Sequence, residues 1–263
     1  MKSRFFSLAS AVTAALLLSV LTSVSGAEVS STESADDLVE KGKVFEQKFQ
    51  ANEALPLYLA AEKLEPQNCH VLVRIARQYR YLMTDASSKD EKLRLGNLAL
   101  SYSERAAAAG PKDCDAQLAT AITLGKMLPY MPAKQQISAT PKIKASAERA
   151  LELDPDNDTA WHILGRWNRV LADVSIAKRY VANMLFMGKL PKGSNEEAER
   201  DMKKAIALNP KRLMHYIELG RIYAQMGRKD DARQYINKGL SMPDAEKDDP
   251  ETKQRGRETL QKL

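Results

Sequence analysis

Residues 213–246 read LMHYIELGRIYAQMGRKDDARQYINKGLSMPDAE, and their spacing decides the fold. Counted from Leu213, Tyr216 is fourth, Leu219 seventh, Gly220 eighth and Tyr223 eleventh, while Ala232 is twentieth and Ile236 twenty-fourth. Apolar residues three and four apart fill one face of a helix, so the stretch predicts two helices. The polar turn Arg228-Lys229-Asp230-Asp231 divides them, and Gly227 stands where a helix end needs a left-handed residue. Gly220 on the first helix and Ala232 on the second permit close approach. Leu219, Tyr223 and Ile236 fill the space left between them.

One such pair cannot bury its own apolar face, so further pairs are expected. Pro66, Pro111, Pro155 and Pro210 each follow an apolar helix end: KLEP, AAGP, ELDP and ALNP. Five places before them stand Ala61, Ala106, Ala150 and Ala205; seven places further back stand Ala54, Ala99, Ile143 and Ala198. The recurrence predicts five helix pairs starting near Ala35, Cys69, Cys114, Asp158 and Leu213. Gly42 and Gly165 take the place of Gly220 in the first and fourth pairs. This is the frame of the tetratricopeptide (TPR) repeat. The fold class is therefore all-α, a TPR-like right-handed superhelix over residues 35–263. Successive prolines are 45, 44 and 55 apart, against about 34 in a regular repeat. The surplus predicts lengthened helices and one inserted helix, at SIAKRYVANMLFMG (residues 175–188). A charged helix from Asp249-Pro250 should cap the open end.

Sequence SKDE at residues 88–91 and SNEE at residues 194–197 predict capping boxes. Pro129 and Pro132 predict an irregular connection or distorted helix, with a new helix beginning at Thr140-Pro141. Ahead of the repeats, Lys2 and Arg4 precede an uncharged apolar run (residues 5–24) and the small residues Ser25-Gly26-Ala27. That is the pattern of a cleaved secretory leader. Residues 1–27 are expected to be a signal peptide, the mature chain to begin near Glu28 and be periplasmic or secreted, and residues 28–34 to be a flexible lead-in. The rival is a retained membrane anchor; a cleaved leader leaves no stable membrane span. The net charge is +6, and removing Lys2 and Arg4 leaves +4, too mild to argue for nucleic acid.

Cys69 and Cys114 open consecutive repeats. Stacked equivalents should lie about 9–10 Å apart, beyond disulfide reach, so free thiols are expected. His70, His162 and His215 have no carboxylate or cysteine at ligand spacing, and are read as surface or groove residues rather than metal ligands. No catalytic motif is found, so no enzyme activity, metal or cofactor is expected. Trp161 and Trp167 should serve the core, as should the segment from Met184 to Met187, whose alternative is an adaptable apolar contact.

Several of these features carry a family likeness: Gly165-Arg166-Trp167, Met184-Leu185-Phe186 ending the inserted helix, Leu190-Pro191 in the loop behind it, and Glu91-Lys92 opening the long helix after Ser88. Over about residues 69–263 the chain resembles the regulator of microtubule dynamics family. The resemblance implies a TPR-like helical fold and no established catalytic motif. Animal members associate with microtubules or organelle contacts, and one binds phospholipid. Together with the leader, it points to an exported, bacterial member.

In TPR stacks the first helix of each pair lines the concave face. At the ninth repeat position stand Lys43, Arg77, Ile122, Arg166 and Arg221; the twelfth adds Arg80 and Arg169, and the fifth adds His162. These predict a basic concave groove suited to carboxylates or phosphates. The function expected is a scaffold or adaptor holding an acidic peptide or protein there. The alternative is a phospholipid- or small-ligand-binding protein using a cavity beside the inserted helix.

Overall fold

The computed structural model describes residues 33–186 and 190–263. The leader (residues 1–27), most of the lead-in and residues 187–189 lie outside the described residues. The expected pairs appear with their expected starts. They are α1 (Ala35–Glu46) with α2 (Ala51–Leu64), α3 (Cys69–Asp85) with α4 (Lys89–Ala109), and α5 (Cys114–Met127) with α6 (Ala133–Leu153). α7 (Asp158–Ala172) pairs with α9 (Asn195–Leu208) across the inserted α8 (Ile176–Phe186), and α10 (Leu213–Gln225) pairs with α11 (Lys229–Ser241). The capping helix α12 (Asp249–Leu260) packs on α10 and α11. Among the described residues there is no strand, and no helix is long and apolar enough to cross a membrane.

The small residues that set the repeat do the packing assigned to them. Ala54, Ala61, Ala150, Ala198, Ala205 and Ala232 are fully buried. At the eighth position stand Gly42, Ala76, Ala121, Gly165 and Gly220, and the glycines are places where the helices nearly touch. A Cβ on Gly220 would lie 2.5 Å from Ile236 Cγ1 and 3.0 Å from the Ala232 carbonyl oxygen. On Gly165 it would meet Met202 at 3.0 Å, and on Gly42 the Tyr58 ring. Tyr223 and Trp167 are buried beside them, and Trp161 is part-buried with its indole N–H on the Pro155 carbonyl. Gly227 has φ +77°, the left-handed end required of it.

Local expectations fail where one residue has two possible partners. The Ser88 and Ser194 hydroxyls cap their helices by accepting from Glu91 N and Glu197 N. Neither box is reciprocal, because Glu91 accepts from Arg94 and it is Glu196 that accepts a hydrogen bond from the Ser194 hydroxyl. The complete box is at Ser34 and Asp37, at the edge of the expected lead-in, and it caps α1. α6 starts at Ala133, with Pro132 as its N-cap, and runs through Pro141 rather than beginning there. Proline suits a helix start, which Pro132 supplies. The carbonyl of Thr140, just before Pro141, accepts the Trp167 indole N–H at 3.0 Å, tying α6 to α7 at that point. Met184 is exposed, a correction to the core reading: α8 turns Ile176, Tyr180 and Met184, one turn apart, to solvent. Cys69 and Cys114 are free thiols.

Candidate functional site

The first helices of the second to fifth pairs, with α6 and the capping segment, line an open cavity of about 780 Å³. Arg77, Arg80, Ile122, His162, Arg166, Arg169 and Arg221 all line it, as their repeat positions require. Lys43 does not. It lines a separate recess of about 390 Å³ with Glu46 and Phe49, and it is neutralised by Glu40 one turn back on its own helix.

The arginines brought together are mostly spent on the protein itself. Glu46, buried at the end of α1, takes Arg77 at 2.7 Å and Arg74 at 3.2 Å, plus the Tyr58 hydroxyl at 2.6 Å. Burial pushes this carboxyl up, but the Tyr58 hydrogen bond and the two guanidinium charges outweigh it and hold it below its ordinary value. Arg80 is buried and donates to Thr123 Oγ1 at 3.0 Å; burial pushes its pKa down to about 10. Glu218, inside α10, takes Arg169 at 2.6 Å and Arg221 at 2.8 Å. Burial alone would raise Glu218; Arg169, Arg221 and Arg166 overcome that and hold it well below the usual range. The expected open basic wall is therefore two internal ion-pair clusters, a consequence of carboxylates buried one layer behind the arginines.

Arg166 differs. It lines the cavity, is part-buried, and has no hydrogen bond or ion pair among the described residues. Burial lowers its pKa to about 10, with Glu218 offsetting part of that and Arg255, Arg221 and Arg169 adding to it. It remains a cation at neutral pH, without a counter-ion in contact.

One turn before it, His162 faces the same cavity. His162 and His215 are both buried, not surface residues. Their Nδ1 atoms are 3.1 Å apart, and His215 Nε2 is 2.8 Å from Asp158 Oδ2, which also accepts from Arg212 Nη1 at 3.0 Å. Burial pushes Asp158 up, but the hydrogen bond from His215 and the Arg212 charge bring it down to about 2. Burial lowers both imidazoles, so both are neutral at pH 7.

Sequence reasoning missed part of the wall. Lys126 occupies the thirteenth repeat position, itself a concave one, and could have been found by extending the count. Arg212, Lys247 and Arg255 come from a helix entry and the capping segment, which have no repeat register. The chain between α11 and α12 straps across to the second and third pairs. Asp248 accepts from Lys126 at 2.6 Å and Thr84 at 2.9 Å, and Lys247 reaches Asp85 at 2.7 Å. In all, nine cationic side chains and four carboxylates line the cavity, an excess of positive charge. Elsewhere, Cys69, His70 and Asp113 lie with ligand atoms within 4.8 Å of one another, since the N-cap of α5 falls beside the start of α3. Their adjacency across repeats was invisible to spacing along the chain.

Comparison with known proteins agrees with this architecture. Among solved structures, a thermophilic TPR protein of Thermus thermophilus is 18% identical with a TM-score of 0.60, covering 87% of this chain and 100% of that one. The Pseudomonas aeruginosa pilF structure is 14% identical with a TM-score of 0.53, covering 87% and 91%. Both show the fold alone. Regulator of microtubule dynamics protein 1 of Caenorhabditis elegans is 27% identical over 194 residues, 74% of this chain and 85% of the relative. The Bos taurus protein of that name is 29% identical over 199 residues, 74% of this chain but 62% of its own length. The model of the family described as regulator of microtubule dynamics protein 1-3 matches residues 32–263, and the chain belongs to that family.

Proposed function

We propose that this protein is a non-catalytic TPR-like binding module that receives an anionic group of a partner in its concave cavity. The observation that carries the reading is Arg166, a cation in the cavity wall with no partner, where every neighbouring arginine of the expected groove has one. A partly desolvated guanidinium is a strong site for a carboxylate or phosphate. An acidic peptide should bind in the micromolar range, about −8 kcal/mol, and more weakly as salt rises. The test is titration of the protein with acidic peptides, beside Arg166→Ala and the exposed control Arg200→Ala. Equal binding by all three contradicts the reading.

A second reading, a lipid or other amphiphile, is favoured by the apolar part of the same wall, which includes Ile163, Trp167, Val174 and Leu190. Mass spectrometry of the purified protein should then find a co-purified lipid, which Arg166→Ala loses; a clean spectrum counts against it.

We also propose export. An exported chain would not meet microtubules, so the role in the relatives' names and the leader exclude one another. N-terminal sequencing of the native protein should begin near Glu28; a product retaining Met1 decides against export.

A further inference from the structure

The file Asp158–His215–His162 fixes where the protons are, and that in turn bears on what the cavity accepts; this step rests on the cavity being the binding site. Asp158 is ionised and can only accept, so His215 Nε2 carries a hydrogen and donates to it at 2.8 Å. A neutral His215 then has a bare Nδ1. The 3.1 Å contact between the two Nδ1 atoms therefore requires the hydrogen on His162 Nδ1. A neutral His162 is left with a bare Nε2. That atom has no partner among the described residues and is not among the fully buried unpaired atoms, and the ring lines the cavity. The relay thus presents a hydrogen-bond acceptor to the cavity, one helical turn from the unpartnered guanidinium of Arg166.

An acceptor and a cation side by side discriminate among anions. A carboxylate or sulfate satisfies Arg166 and still binds there, but less tightly, because it turns a lone pair toward the lone pair of His162. A phosphate carrying one proton satisfies both, its oxygens accepting from Arg166 and its O–H donating to His162 Nε2. We propose that the cavity is selective for an oxyanion that keeps one O–H, a singly protonated phosphate or phosphomonoester, and that His162 is its specificity-determining residue. Trp167 and Ile163 on the same helix give an ester's organic group an apolar surface.

The experiment is calorimetric titration with phenyl phosphate and phenyl sulfate at pH 6 and pH 8, with inorganic phosphate and sulfate as arms lacking the apolar group. At pH 6 phenyl phosphate should bind at least ~10-fold more tightly than phenyl sulfate, the cost of an unpaired polar contact. The preference should shrink at pH 8, above the ester's second pKa of about 6. His162→Leu removes the lone pair and should bring the two esters to similar affinity. Inorganic phosphate binding as tightly as its phenyl ester supports the free ion as ligand; tighter ester binding supports an organic phosphate. Equal affinity of wild-type protein for the two esters at pH 6 overturns the proton selection and leaves the cation site standing. No binding of either ester, with Arg166→Ala indistinguishable from wild type, overturns the site itself. The wild-type comparison at two pH values decides the matter even if the His162 variant does not fold.

Discussion

At the scale of single residues, the repeat is held by positions where a methyl group has no room. A Cβ at Gly220 would press on the backbone of Ala232 as well as on Ile236, so the contact cannot be relieved by one rotamer change. Gly220→Ala should destabilise by about 1–3 kcal/mol. Gly125, on α5, has nothing within 4 Å of its notional Cβ. Gly125→Ala should stabilise by about 0.5–1 kcal/mol through helix propensity alone. Thermal unfolding of the two variants checks both signs, and a neutral Gly220→Ala would show that the helices of the last pair do not meet there. This contrast marks what was readable in the sequence. Gly220, Ala232 and Ile236 share a register with other pairs, so their role follows from counting. Glu46 stands at the twelfth repeat position, where Arg80 and Arg169 stand in their own pairs, so extending the count would have placed an acid beside Arg77; Glu218, at the sixth, has no such register, and its capture of Arg169 and Arg221 was not readable.

At the scale of elements, the joint between α7 and α10 is polar where most joints of the stack are apolar. His162 and His215 meet there, with Asp158, Arg212, Glu218 and Arg166 around them. Burial holds both imidazole pKa values below the ordinary 6.5. The unfolded chain therefore binds protons that the folded chain refuses as pH falls below about 6.5. The stability these histidines lend is complete above that value and is lost on acidification, at most ~1.4 kcal/mol per pH unit for each. Asp158, brought down to about 2, adds its own loss as pH falls through 4 towards that value. Denaturant unfolding between pH 7 and 5 should show falling stability, and His162→Gln should flatten the slope whatever its effect at pH 7. An unchanged slope would mean that His162 is protonated in the folded state. Most helix boundaries were legible from caps and prolines, the start of α6 excepted. This joint was not, because it depends on side chains 53 residues apart.

At the scale of the whole molecule, the superhelix converts a one-dimensional repeat into a concave chamber. The strap before α12 crosses from the last pair to the second and third, and its Asp248 neutralises Lys126 rather than leaving it for a ligand. What remains is a cavity with cations in excess, apolar walls and, among the described residues, one uncommitted guanidinium. The central claim, that Arg166 receives the ligand's anion, is tested most directly by nitrogen-15 NMR of the arginine Nε–H groups. The Arg166 resonance is assigned by its loss in Arg166→Lys. On addition of phenyl phosphate it should shift and sharpen as the guanidinium is immobilised, while Arg169 and Arg221, already held by Glu218, change little. A ligand that binds while the Arg166 resonance stays where it was would contradict the account.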